Sequence, residues 1–127
     1  MESKDLALLK KLVEAPSPTG FEQPAAAVLR ERLEGVADTV ETDIMGSVHA
    51  RLKGTGSGPS VMLAGHIDEI GLMVNYITPE GYIAVKALGG ADAGILPGLR
   101  VDVHGPDGVY RGVLGPKPIH LIAEAER

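Results

Sequence analysis

The sequence predicts an α/β layer followed by the opening strands of a small β-barrel or sandwich. Three observations carry this. Apolar residues recur at helical spacing up to Gly35, and after Gly35 the period changes to two. Beyond Gly71, short strand patterns alternate with Gly- and Pro-containing turns at roughly ten-residue spacing, with no helical pattern between them.

The first helix is marked by Leu6, Leu9, Leu12 and Val13, with Lys10, Lys11 and Glu14 on its other faces. Ser3 is the candidate N-cap, and "APSPTG" ends the helix because Pro16 and Pro18 cannot continue it. A second helix starts near Phe21 with Pro24 in its first turn, where a missing N–H is harmless. Its buried stripe is Ala26, Leu29 and Leu33, and Gly35 stands at the C′ position. Three strands follow: "ADTVETD" (37–43), "SVHARLKG" (47–54) and "SVMLAG" (60–65), with "KGTGSGPS" as a flexible connection. The first two alternate, as in a ribbon with one wet face. Val61 to Ala64 do not alternate, which suits a strand covered on both faces. "GLMVNYIT", "GYIAVKAL", "RVDVHG" and "VYRGVLG" are the later strands. The change of texture places a boundary near residues 68 to 71, giving residues 1–68 to an α/β part and 69–127 to a partial barrel. Neither part contains enough strands to close on itself.

Composition narrows the function. Of 127 residues, 44% are apolar, enough for an aliphatic core, and the net charge of −5 provides no basic face for nucleic acid. No apolar run reaches the roughly 18 residues of a membrane span, and the first residues lack the block of a signal peptide. Without cysteine there is no disulfide framework, thiolate metal site or thiol nucleophile. A cytoplasmic protein is expected.

The stretch "AGHIDEIGLMV" (64–74) sets His66, Asp68 and Glu69 in a run that is otherwise almost entirely apolar. Charged groups at the end of a covered strand need a partner or a metal. Positions i and i+2 of an extended segment share a side, so His66 can offer an imidazole nitrogen to a metal while Asp68 accepts the other ring N–H. Glu69 faces the opposite way. H-x-D alone leaves two readings open: half of a metal site, or a hydrogen-bonded pair that closes a strand end. His49 and His104 read as surface or strand-end residues, and His120 follows two prolines without an assignable role. Ser17 and Thr19 read as helix-stop and turn residues. No pair of acids has the placement that glycoside hydrolysis needs.

Taken together, "APSPTGFE" (15–22), "TDIMGSVHARLKG" (42–54), "VMLAGHIDEIGLMV" (61–74), "LGGAD" (88–92) and "GVLGPKPIHL" (112–121), in this order, resemble the M42 family of metallo-aminopeptidases. The resemblance covers nearly the whole chain. It implies a peptide-cleaving exopeptidase with two divalent ions, zinc or cobalt. It also implies an α/β catalytic domain interrupted by a PDZ-like β-barrel through which the family forms homo-oligomers. On that resemblance His66 is the first metal ligand and Asp68 the active-site aspartate behind it. Ser47 stands where the family usually has asparagine, and it is expected to keep the turn with a weaker side-chain hydrogen bond. The family's bridging aspartate, its catalytic glutamate and its other ligands lie further along than these 127 residues. The expectation is therefore the N-terminal part of such an enzyme, inactive in isolation. The alternative is a non-catalytic association module that pairs with itself or with a separately encoded remainder.

Overall fold

The computed structural model describes residues 3–116. Two compact units are distinguished, Met1–Gly89 and Gly90–Arg127, and each is described by itself.

In the first unit, α1 (Ser3–Glu14) and α2 (Gln23–Glu34) form where the apolar spacing predicts them. Pro24 sits in the first turn of α2, and Ala25 and Ala26 are its buried residues. Gly35 departs from expectation. It is the C-cap itself, with φ −80° and ψ −7°, and the chain leaves the helix without a left-handed residue. The Leu33 carbonyl receives the N–H groups of Val36 and Ala37 at 2.9 and 2.8 Å, which satisfies one of the carbonyls left open at the helix end. On α1 the predicted stripe is only partly covered, since Leu6, Leu9 and Val13 stay exposed. Among the described residues, the helix packs only on α2.

β1 (Thr39–Thr42) and β2 (Val48–Arg51) form an antiparallel ribbon in which Glu41 faces His49. Arg30 joins α2 to this ribbon, donating to the Thr42 hydroxyl at 2.8 Å and pairing with Glu34 at 2.9 Å. The turn after β1 is held by the Asp43 carboxylate, which accepts the N–H groups of Met45 and Ser47, both at 2.9 Å. The turn survives serine at position 47 because these bonds use the Asp43 side chain and the Ser47 main chain, not the Ser47 hydroxyl.

The strand predicted at 60–65 is absent: residues 52–68 contain no strand, and Val61, Met62 and Leu63 are 82–93% exposed. An apolar run becomes a strand only when neighbours complete its ladder, and no described segment pairs with it. The chain regains sheet-like pairing at a parallel bridge between Pro18 and Glu69. β3 (Gly71–Ile77) then pairs antiparallel with β4 (Ile83–Leu88), with a bulge between Val74 and Tyr76. In the second unit β5 (Arg100–Gly105) and β6 (Gly108–Val113) form a continuous antiparallel ladder. Gly98 donates to the Leu114 carbonyl at 2.7 Å and Leu114 to that of Leu99 at 2.9 Å. All four later strands therefore form as predicted, as two separate ribbons. The "GPKPIHL" motif, with His120, lies outside the described residues.

Buried apolar residues among those described are only Ala25 and Ala26. The helices and ribbons form locally, and little of their apolar surface finds a partner within these residues. Of the described glycines, Gly71 is the most closely approached: a Cβ at position 71 would lie 2.4 Å from the Pro18 Cβ. Gly71→Ala is expected to force the two segments apart at about 1–3 kcal/mol, the range for overpacking. Hydrogen exchange would show it as lost protection at the Glu69 amide, which donates to the Ser17 carbonyl at 2.9 Å.

Candidate metal-ligand site at His66

The site is built by two segments far apart in sequence. The loop after α1 carries Ser17 and Thr19, and the segment before β3 carries His66, Asp68 and Glu69. Ser17, 4% exposed, is fixed at both ends of its peptide frame. Its N–H donates to Glu69 Oε1 at 3.0 Å and its carbonyl accepts the Glu69 N–H. Glu69 is thereby engaged with the loop main chain, and it lines the same hollow as His66 and Asp68. Gly20 lets the chain turn from Thr19 into α2, at φ 92° where a side chain would be strained.

His66 and Asp68 share one side, as expected of residues two apart in extended chain. His66 Nδ1 lies 2.9 Å from Asp68 Oδ1 and 3.1 Å from the Asp68 main-chain oxygen. The main-chain oxygen can only accept, as can the carboxylate oxygen when ionised, so Nδ1 is the donor, and in the neutral ring this leaves the lone pair on Nε2. This is the tautomer in which a metal-ligating histidine is held by an outer carboxylate. Thr19 Oγ1 donates to the second carboxylate oxygen, Oδ2, at 2.8 Å across 49 positions. The hydrogen bond from Thr19, then that from His66, holds the Asp68 carboxyl below its ordinary value of 3.8.

Burial differs from expectation. The His66 side chain is 86% exposed and that of Asp68 36%. The pair opens on a hollow of about 300 Å³ whose lining includes Leu12, Val13, Ser17 and Ala25. With no strand at 60–65 there is no covered strand end, and desolvation does not force the pairing. Hydrogen bonds hold the pair. Thr19 is the residue that sequence reasoning missed. A turn threonine carries no mark of a partner 49 positions away, and "PSPTG" signals only where the helix stops.

Elsewhere His49 lies on the surface as predicted, its Nε2 3.0 Å from Asp43 Oδ2. His104 ends β5. A second hollow, about 330 Å³, runs along β1 and β2 and is lined by Asp38, Glu41, His49 and Arg51 among others, with no convergent donor set. Among the described residues no three His, Asp or Glu side chains gather as a metal-holding group. What is present fits one imidazole ligand with its orienting carboxylate and nothing more. Among them also, no helix is long and apolar enough to cross a membrane.

With this geometry in place, comparison with known proteins is decisive about kinship. The family described as M42 glutamyl aminopeptidase matches residues 46–127. The chain belongs to that family. It is 39% identical over 123 residues to the lysyl aminopeptidase of Pyrococcus furiosus, covering 96% of this chain and 35% of the relative. Among solved structures it is similar to a TET aminopeptidase from a marine sediment archaeon of the Thaumarchaeota, with TM-score 0.86 and 39% identity over 97% of this chain and 34% of the other. It is also similar to the TET1 peptidase of Pyrococcus horikoshii, described as assembling into a tetrahedron or a large octahedral shell, with TM-score 0.75 and 32% identity over 94% and 35% of the two chains. The chain spans about a third of the length of the curated relatives it matches.

Asp68 and Asp43 are both held below 3.8, Asp43 first by the hydrogen bond to His49. A carboxyl with a lowered folded-state pKa contributes stability above its unfolded value and loses it as pH falls through the folded value. The Thr19–Asp68 contact is therefore expected to be intact at neutral pH and to open only below about 3.8, as a carbon-detected NMR titration of the side-chain carboxyls would show.

Proposed function

We propose that this chain contributes to a metal-dependent aminopeptidase that removes N-terminal residues from peptides. In it, His66 donates Nε2 to one of two divalent ions, zinc or cobalt, and Asp68 is the active-site carboxylate behind that ligand. The observation that carries the reading is the 2.9 Å bond from His66 Nδ1 to Asp68 in a member of the M42 family. That bond fixes the ring and the tautomer and raises the basicity of the free nitrogen. When bound, such ions polarise the peptide carbonyl and activate water. One imidazole cannot satisfy the three or four ligands that zinc requires, so the remaining donors come from polypeptide outside these residues. The division into a catalytic part, 1–68, and a PDZ-like barrel part, 69–127, belongs to the same proposal, as do a cytoplasmic location and homo-oligomeric assembly. The shell-forming TET1 relative supports assembly.

A second reading rests on the exposed run of Val61, Met62 and Leu63 together with Ile44, fully exposed. Such surface favours association, with a second copy or with a separately encoded remainder of the enzyme. A clean monomer in size-exclusion chromatography would count against self-pairing.

Two measurements test the main reading. The purified 127-residue protein is expected to show no hydrolysis of an aminoacyl-p-nitroanilide with zinc or cobalt present, and turnover by it would refute the missing-ligand argument. Cobalt titration followed by NMR is expected to perturb His66 at Nε2 before any other histidine. Perturbation centred elsewhere, with His66 untouched, would remove it as the ligand.

A further inference from the structure

The geometry points to Thr19 as a positioning residue that keeps the His66 imidazole in its Nε2-open tautomer by holding the Asp68 carboxylate. This rests on the reading of His66 as a metal donor and adds to it a residue from a separate segment of the chain. A carboxylate two residues from a histidine can rotate about its own bonds, and at 36% exposure water competes for both oxygens. Here the rotation is stopped from one side. Thr19 Oγ1 donates to Oδ2 at 2.8 Å, so Oδ1 is the oxygen left to receive the ring N–H at 2.9 Å.

The hydroxyl is itself placed by main-chain contacts and does not depend on its own rotamer alone. The Ser17–Glu69 pair of hydrogen bonds lies two residues before Thr19 on one strand of chain and one residue after Asp68 on the other. The Pro18–Glu69 bridge and the close approach of Gly71 to Pro18 set the same register. Thr19 and Asp68 thus face each other because their neighbours are locked. The turn at Gly20, whose N–H donates to Glu22 Oε1, leads directly into α2. The Asp68 main-chain oxygen, 3.1 Å from Nδ1, is a second acceptor for the same proton. Removing the threonine hydroxyl should therefore weaken the tautomer preference without abolishing it.

The test reads the ring nitrogens of the 127-residue protein by long-range ¹⁵N–¹H correlation, at pH high enough to keep imidazoles neutral. His49 is the internal control, since its carboxylate partner Asp43 is met by Nε2 and its tautomer is the opposite one. In Thr19→Val the ratio of Nδ1–H to Nε2–H at His66 is expected to fall by at least roughly threefold, the scale of one hydrogen bond, while His49 is unchanged. Thr19→Ser, which keeps the hydroxyl, is expected to retain the wild-type ratio. An unchanged His66 in the valine protein overturns the inference. So does a serine protein that shifts as far as the valine protein, because packing of the methyl group and not the hydroxyl would then hold Asp68. Cobalt added to the wild type separates this from the ligand reading: perturbation centred on another histidine, with His66 Nε2 untouched, removes the ligand role and leaves the tautomer result standing.

Discussion

The contact on which the site depends is the clasp between residues 17–19 and 68–71. Four features make it: two hydrogen bonds between Ser17 and Glu69, the Thr19–Asp68 bond, and glycine at 71 where any side chain would strike Pro18. None is strong by itself, since a hydrogen bond contributes about 0.5–1.5 kcal/mol net. Their effect is geometric. They bring the end of one helix-turn to the start of a ribbon about fifty positions later, and without them His66 and Asp68 would be a dipeptide-spaced pair in open chain. Ser17, the one buried polar residue of the described part, shows where this clasp excludes water.

That clasp also explains how a site can be ordered in a chain that buries so little. Ala25 and Ala26 are small, and Ala25 lines the hollow where α2 comes close to the clasped segments. Larger side chains at Val61, Met62 and Leu63 stay in solvent, because burial on both faces needs strands on both sides. Relatives about three times as long have more chain with which to provide such neighbours. The metal chemistry has the same character. A single imidazole and its orienting carboxylate form locally, whereas a coordination shell requires donors converging from several elements.

Much of the secondary structure was legible from the residues. The two helices follow from apolar spacing and from prolines that stop one and start the other, and the ribbons from period-two runs bounded by Gly, Pro and Asp. These are local signals, satisfied by hydrogen bonds that each ribbon or helix makes within itself. The run at 60–65 misled for the opposite reason. Its apolarity states a preference for burial, but burial is supplied by other segments, and here none arrives. Gly35 was placed one position too far out because an αR exit uses no left-handed residue, and composition alone does not distinguish the two endings.

Sequence alone determined the kinship, the spacing that sets His66 and Asp68 on one side, and the lack of cysteine. All of these are properties of residue type and separation along the chain. Tertiary structure decided that Thr19 completes the carboxylate's hydrogen bonding, that Glu69 is bound to the Ser17 main chain, and that the histidine stands in solvent. Those outcomes depend on which distant segments touch, and a hydrogen bond across 49 positions leaves no periodicity for a reader of the sequence to find.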